Sequence, residues 1–253
     1  DHVGPLTRTV ADNALMLAVI AGHDPLDPGS AAAPAADYAS GLDRGVAGLR
    51  IGFVRHFHET DLPADPEMAA AIENAARTLD KAGARLSEIR LPSLGEFGAV
   101  NRVILQSEAW AIHAPWLRER PGDYGRLARR RLLPGAFFGA GDYVQAARRR
   151  REMIAAVDDA LREVDVLLCA SAMDPPSRLD DPAETERTYP RQARTPFNVT
   201  GHPALAMMAG LSKAGLPLAV QFVGRYFAEA TVFRVARAWE REAGTDTMHP
   251  PLP

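Results

Sequence analysis

The feature that most constrains the fold of this chain is a set of short apolar runs separated by segments with helical periodicity. Two of these runs, "PALAMMAG" (203–210) and "LPLAVQFVG" (216–224), follow each other across the short connection "LSKAG". Because both are apolar almost throughout, they are typical of neighbouring strands that are covered on both faces of a sheet. The pattern therefore predicts a sheet core between layers of helices.

A strand–helix–strand unit is predicted earlier in the chain. "GLRIGFV" (48–54) has the apolar character of a buried strand, and "ARLSEIRLP" (84–92) is predicted to be a second one. Between them, Asp65 is placed to cap a helix, and Pro66 takes the first helical position, where a backbone N–H has no helical partner. Such units are right-handed and have parallel strands. Together the two patterns predict an α/β fold with a mixed sheet covered by helices on both faces.

The remainder is predicted to be mainly helical. We expect helices near residues 99–118 and 142–163, the short buried strand "DVLLCAS" (165–171), and a final helix over 228–244. One large domain and two smaller ones are both compatible with a length of 253 residues. Since the sequence contains no internal repeat, we treat residues 1–253 as a single domain.

The opening stretch, "DHVGPLTRTVADNAL", predicts a helix that starts almost at once. Thr9 stands three residues before Asp12 and ahead of an apolar segment, which is a capping-box-like start, and the helix should end near Gly22. The eight residues before Thr9 are typical of the exit from an earlier element. We therefore expect this chain to be part of a longer polypeptide.

The overall composition limits the classes of partner and compartment. A formal net charge of −3 gives no general reason to expect nucleic acid or an anionic membrane as a partner. The longest apolar run, residues 14–21, is far too short to span a bilayer. The single cysteine, Cys169, cannot form an internal disulfide and fits a reducing compartment, so we expect a cytoplasmic location.

Local motifs for metal, cofactor or covalent chemistry are weak. The sequence has no G-x-S-x-G, G-x-x-x-x-G-K-[ST] or H-E-x-x-H motif, so we expect neither a cofactor nor a metal. His56 and His58 follow a predicted strand, but no further His-rich element accompanies them. The only lysines, Lys81 and Lys213, are predicted at a helix end and in a turn, and neither setting favours a neutral amine. Ser171, at a strand end, is the best placed serine but has no base nearby in sequence.

Two arginine runs could in principle bind phosphate or RNA. They occupy residues 126–131 and 148–151, and they are not interleaved with aromatic residues that would stack on bases. Four consecutive arginines on a helix also point in all directions. We therefore expect solvated, ion-paired helices at both runs rather than a nucleic-acid site.

Several stretches, taken in order along nearly the whole chain, resemble the amidase signature family. This family comprises Ser–Ser–Lys amide hydrolases and includes the A subunit of the glutamyl-tRNA(Gln) amidotransferase. The stretches are "DHVGPLTRTVADNALMLAVIAGHDPLDPGS", "LRIGFV", "DPEMAAAIENAARTLDKAGA", "GDYVQAARRRREMIAAVDDALREVDVLL", "RTPFNVTGHPAL" and "GLPLAVQFVGRYFAEATVFRVARAWE". The opening stretch is similar to the segment that directly follows the family's catalytic core. The resemblance thus implies the C-terminal part of the amidase signature fold.

The same resemblance implies that the catalytic residues lie outside this chain. In the family, a Gly/Ser-rich signature carries the nucleophilic serine and a bridging serine, and the lysine lies further upstream. This sequence has no such tract, and neither lysine falls at the family position. The resemblance therefore assigns no catalytic residue here. It implies instead that the chain contributes substrate-binding walls, with the candidates Glu108, Trp110, His113, Ser171, Met173, Thr195, Phe197 and Asn198.

Each of these candidates also has a purely structural interpretation. Glu108 and His113 fit a polar helix face, Phe197 fits the core, and Asn198 fits a turn. Two departures from the family pattern bear on the substrate. "CASAMDPP" stands in place of a Thr- and Pro-rich pocket loop, and Met207 with Met208 in place of a small residue and a proline. Both predict an altered, rather apolar pocket.

Three functional hypotheses follow. The first is an amidase-type hydrolase of a small, fairly apolar carboxamide, present as a C-terminal fragment that is inactive alone. The second is a fragment of the A subunit of an amidotransferase, for which the altered pocket is unfavourable. The third is a non-catalytic interaction scaffold. If a preceding half of the core is missing, exposed apolar surface should drive the chain toward a homodimer or poor solubility.

Overall fold

The computed structural model describes residues 3–33 and 36–248. The helices are α1 (Val10–Ile20), α2 (Pro66–Lys81), α3 (Leu94–Glu119), α4 (Arg126–Leu132), α5 (Ala140–Glu163), α6 (Pro182–Thr188), α7 (Thr195–Thr200) and α8 (Glu229–Ala243). The strands are β1 (Arg50–Phe53), β2 (Arg85–Glu88), β3 (Val166–Ala170), β4 (Ala204–Leu211) and β5 (Pro217–Val223). All five predicted strands are present.

The five strands form one mixed sheet in the order β2-β1-β3-β5-β4. β1 is parallel to both β2 and β3, whereas β5 is antiparallel to β3 and to β4. The β1–α2–β2 segment is therefore the predicted parallel unit, and β4 with β5 are the predicted pair. The α/β prediction is confirmed.

Capping side chains define where the helices begin. The Thr9 hydroxyl accepts a hydrogen bond from the backbone N–H of Asp12 at the start of α1, as the opening motif predicts. The Asp65 carboxylate accepts from the N–H groups at the start of α2. Ser93 and Glu96 form a full capping box at the start of α3. That helix consequently begins at Leu94, five residues earlier than the predicted 99–118 range.

The helices cover the sheet in two groups. α2 and α8 contact each other and pack on β4 and β5, while α5 packs on β1 and joins α3 and α7 in a second group. The strand β3, at the centre of the order, is buried at every position. The prediction that β4 is covered on both faces is wrong. β4 is an edge strand that pairs only with β5 among the described strands, and it is partly exposed along its length.

A helical extension packs outside the main core. The first part of α3 packs into the main core through Phe97, and the second half of α5 does so through Met153. Ala114, Leu117 and Ala146 are also buried, but they lie outside that core. The second half of α3, α4 and the start of α5 thus form a separately packed extension, to which Glu108, Trp110 and His113 of α3 belong.

Candidate functional site

The sheet order places a candidate site at the carboxyl ends of β1 and β3. From β1 the chain proceeds through α2 to β2 on one side, and it returns later to form β3 on the other side. In open α/β sheets the crevice outside the carboxyl ends of strands at such a reversal is where ligands bind. Here β1 leads into a single π-helical turn, Phe57–Asp61, and β3 leads into Ser171.

The loop after β3 is tied down on both sides. The backbone N–H of Ala193 donates to the carbonyl of Ser171 at 3.0 Å, and that of Met173 donates to the carbonyl of Arg191 at 3.0 Å. The N–H of Asp65, the cap of α2, donates to the carbonyl of Met173 at 2.8 Å. Both candidate residues are buried, with Ser171 4% and Met173 0% exposed. This loop is therefore a rigid wall at the carboxyl edge.

The segment before α7 packs against this loop and leads into the candidate Thr195. The side-chain oxygen of Gln192 accepts hydrogen bonds from the N–H groups of Arg194 at 2.6 Å and Thr195 at 3.2 Å, and its amide N–H donates to the Thr195 hydroxyl at 2.6 Å. Gln192 also bridges in strand fashion to Ala172. The structure thus links Thr195 to the loop that holds Ser171 and Met173.

The two other candidates on α7 differ in burial. Phe197 is 2% exposed and belongs to the hydrophobic core, which agrees with its structural interpretation. Asn198 is exposed on the same helix. A contact between substrate and Phe197 would require the ring to leave that core, so its effect on a pocket is expected to be indirect.

The α3 candidates lie on the helical extension. The Tyr143 hydroxyl donates to the Glu108 carboxylate at 2.8 Å, and this bond raises the pKa of Tyr143. His113 Nδ1 lies 3.0 Å from the Tyr124 hydroxyl, and the Arg118 guanidinium sits 5.3 Å from the centre of the Trp110 ring. The hydrogen bonds found among the described residues do not connect these side chains to the loop after β3. The candidates therefore form two groups.

The titratable groups near the carboxyl edge favour neutral histidines. Burial lowers the pKa of His56 and His58, and the Glu73 carboxylate, 3.7 Å from His58, partly opposes this effect. Glu73 is already engaged by Arg55 at 2.8 Å. Burial also raises the pKa of Cys169 to about 12, so its thiol is a weak nucleophile near neutral pH.

The other sequence expectations are placed as follows. Lys81 and Lys213 are both exposed. Arg149 forms ion pairs with Glu96 and Glu152, as expected for a solvated arginine run. Within residues 3–33 and 36–248, no group of three or more His, Cys, Asp or Glu side chains is arranged to hold a metal ion. No helix in the same ranges combines the length and apolar character needed to cross a membrane.

Several residues that hold the site together were not predicted from the sequence, because they join segments that lie apart along the chain. Gln192 gave no local signal, because its role depends on the neighbouring loop. The Asp174–Arg191 ion pair, at 2.6 Å, joins the two sides of the same wall. His202 and Asp158 are joined at 3.2 Å although 44 residues separate them in sequence. Only the polar character of these residues was visible in the sequence.

These features define the class of the protein: an α/β fold with a polar, loop-built wall where its sheet reverses direction. Comparison with known proteins then gives the family. The model of the Amidase family matches residues 1–233, and the chain belongs to that family.

Relatives of known name support the same assignment. An amidase from Pseudomonas putida is 38% identical over 263 residues, covering 100% of this chain and 55% of the relative. The A subunit of the glutamyl-tRNA(Gln) amidotransferase from Rubrobacter xylanophilus is 35% identical over 272 residues, covering 96% of this chain and 56% of that protein. The chain thus spans about half the length of these curated relatives, and it corresponds to their C-terminal part.

A solved structure agrees on the fold. A bacterial aryl acylamidase of the amidase signature enzyme family superposes with a TM-score of 0.79 at 22% identity, covering 98% of this chain and 55% of that one. At that identity the likeness concerns the fold alone. The expected amidase signature fold is therefore confirmed.

Proposed function

We propose that this chain is the C-terminal portion, folded as a single domain, of an amide hydrolase that converts a small, fairly apolar carboxamide into a carboxylate and ammonia or an amine. The observation that carries the proposal is the 38% identity to an amidase across the entire chain. The apolar character of the substrate rests on Met207 and Met208 of β4, which are partly exposed. The proposed location is cytoplasmic.

In this proposal the reacting groups come from a preceding portion of the natural protein. The family resemblance implies a serine that attacks the amide carbonyl, a second serine and a neutral lysine that relay its proton, and backbone N–H groups that hold the oxyanion. This chain supplies walls. At the carboxyl edge of the sheet, Thr195 and Asn198 are proposed to face the acyl side of the substrate. The buried Ser171, Met173 and Phe197 are proposed to support this wall from behind. Glu108, Trp110 and His113 face the outer end of the pocket.

The experiment that tests this proposal measures ammonia release from a panel of carboxamides. The full-length natural protein is incubated with acetamide, butyramide, benzamide and glutamine, and the 253-residue chain is assayed in parallel. We expect hydrolysis of the apolar amides by the full-length protein and none by the chain alone. Activity of the chain alone, or no hydrolysis of any carboxamide by the full-length protein, would contradict the proposal.

A second candidate is the A subunit of an amidotransferase, favoured by the 35% identity to the Rubrobacter protein. This candidate predicts that glutamine is the best amide substrate and that the protein purifies together with other subunits. Preference for glutamine in the same assay would select it over the first candidate. Inactivity together with stable association would select a non-catalytic scaffold.

The partner proposal rests on an exposed apolar surface. On α1, four apolar side chains are exposed by 46–81%: Leu15, Met16, Val19 and Ile20. No strand among residues 3–33 and 36–248 pairs with the outer edge of β4, and a trough of about 550 Å³ runs between this strand, the start of α1 and the end of α8. We propose that the preceding portion covers this surface in the full-length protein, and that the chain alone forms a homodimer through it. A monomer by light scattering of the isolated chain would contradict this proposal.

A further inference from the structure

A cluster of polar side chains, centred on the buried His202 and Thr200, joins α5, α7 and the loop after β5. The Asp158 carboxylate on α5 lies 3.2 Å from Nε2 of His202, and Nδ1 of His202 lies 3.0 Å from the Thr200 hydroxyl at the end of α7. The Tyr226 ring stacks on the His202 ring with centres 4.3 Å apart. The Tyr226 hydroxyl also donates to the Thr200 carbonyl oxygen. Three elements therefore converge on one histidine.

The chemistry of the partners fixes the protonation of this histidine. A carboxylate can only accept a hydrogen bond, so Nε2 carries the proton and donates to Asp158. Nδ1 is then the acceptor for the Thr200 hydroxyl. Burial of His202, which is 4% exposed, lowers its pKa, and the Asp158 carboxylate partly opposes this shift. The ring is thus neutral and held in a single tautomer.

The connectivity of hydroxyl, imidazole and carboxylate matches that of a hydrolase triad, but its position does not allow that role. Thr200 is 1% exposed, so its hydroxyl has no access to a substrate. These contacts instead have a structural role. It fixes the end of α7, whose backbone is also held by the Arg150 guanidinium, which donates to the Val199 carbonyl oxygen at 2.6 Å.

We infer that His202 is a positioning residue that links Asp158 on α5 to Thr200 at the end of α7. By holding Thr200 in place, it determines where α7 places Thr195 and Asn198 at the pocket. α7 has six residues, four of them buried, so Thr195 and Thr200 lie at the two ends of one short, packed helix. A shift at Thr200 therefore reaches Thr195 at the opposite end. The inference rests on the proposed function only for the catalytic consequence, since the placement of α7 is a property of the fold.

The groups facing His202 come from each element packed against it. They are Asp158 from α5, Thr200 from α7 and Tyr226 from the loop after β5, with Arg150 of α5 close enough to act on Tyr226. Arg150 is positive and Asp158 is acidic, so the two residues act in opposite directions on a proton in this cluster. Removal of Asp158 leaves the Nε2 proton without its acceptor.

The test compares Asp158→Ala with the matched variant Asp159→Ala in the full-length natural protein. Asp159 is the adjacent residue on α5, and its ion pair with Arg162 lies on the exposed side of that helix. Both substitutions place a favourable helix former in α5, so folding of both variants is expected and is checked by circular dichroism. Hydrogen exchange of the backbone N–H of Gly201, which donates to the Phe197 carbonyl at 2.7 Å, reports on α7 directly.

We expect Asp158→Ala to speed exchange of the Gly201 N–H at least tenfold and to lower kcat/KM roughly tenfold to a hundredfold, mainly through KM, since small misplacements at a pocket have effects of this size. Asp159→Ala should change neither. Tyr226→Phe, which keeps the stacked ring and removes the hydroxyl, should give a smaller change of the same kind. Nuclear magnetic resonance of the wild-type protein should show the Nε2–H tautomer of His202.

Two results would overturn the inference: exchange of the Gly201 N–H that is equal in Asp158→Ala and the wild type, or a His202 ring that exchanges between tautomers. Failure of the proposed function is recognised separately. A wild-type protein that hydrolyses no carboxamide refutes the function, while the exchange and tautomer measurements still decide whether His202 positions α7.

Discussion

Gly52 in the strand β1 offers the sharpest test of how tightly the sheet is packed. A Cβ atom at this position would lie 2.6 Å from Cγ1 of Ile89, 3.0 Å from Cδ2 of Leu167 and 3.0 Å from Cγ2 of Val164. Its backbone φ is not positive, so alanine is conformationally allowed and the cost of Gly52→Ala is steric alone. Because the neighbours belong to a close-packed interior, they can move aside only with strain.

We expect Gly52→Ala to lower the free energy of unfolding by about 1–3 kcal/mol, the usual cost of one extra methyl group in a packed core. For a protein of this size that corresponds to a fall in melting temperature of roughly 2–12 °C. Urea unfolding followed by circular dichroism measures the loss. In the background of Ile89→Ala the nearest obstacle is gone, so the same substitution should cost clearly less, and a double-mutant cycle measures the difference.

Gly98→Ala is the matched control. Gly98 lies within α3, and a Cβ atom there would meet nothing within 4 Å. Alanine should therefore stabilise the protein by about 0.5–1 kcal/mol through helix propensity. If Gly52→Ala is as stable as the wild type while Gly98→Ala shows its gain, the packing argument at β1 is wrong.

Three further predictions concern pH and local contacts. Burial holds the folded-state pKa of His58 below its ordinary value of 6.5, so the unfolded chain binds the proton more tightly. The free energy of unfolding should therefore fall as the pH drops below about 6.5, and His58→Phe should weaken this dependence. Urea titrations at several pH values measure it, and an unchanged dependence in His58→Phe would contradict the prediction. Asp65→Ala removes the cap of α2 and should lower the free energy of unfolding by about 0.5–2 kcal/mol in the same assay. An unchanged free energy of unfolding would contradict this prediction. Gln192→Ala removes the hydrogen bonds to Arg194 and Thr195, so the KM for the preferred amide should rise. An unchanged KM would show that Thr195 does not contribute to the pocket.

The parts of the fold that were predictable from sequence are those determined by local chemistry. The Asp65–Pro66 start of α2 combines a cap with a fixed φ angle, and the structure has the helix there. The earlier start of α3 was equally accessible, because Ser93 and Glu96 have the spacing of a capping box. Apolar periodicity alone does not mark this first turn, because Gly95 and Glu96 within it are exposed.

The exposure of β4 and the contacts within the candidate site could not be predicted from local sequence. A run such as "PALAMMAG" predicts a strand, but its place at the edge of the sheet depends on where the other strands pair. Likewise, the contact of His202 with Asp158 joins residues from different elements, and no local pattern marks it. The family resemblance supplied candidate residues for the pocket, whereas the structure divided them into two groups by their hydrogen bonds.

The pairing of β1 with β3 has a consequence for how the chain is made. Ile51 lies opposite Val166 in the sheet, and the Arg50–Asp165 ion pair at 2.8 Å stands beside this register. At ordinary rates of protein synthesis, on the order of ten seconds pass between the two strands. During that interval β1 and β2 have no partner on the β3 side, and the helical extension is synthesised before the sheet can grow. The nascent chain therefore exposes an unpaired sheet edge for longer than most of its folding steps take. We expect chaperones to bind mainly during this interval.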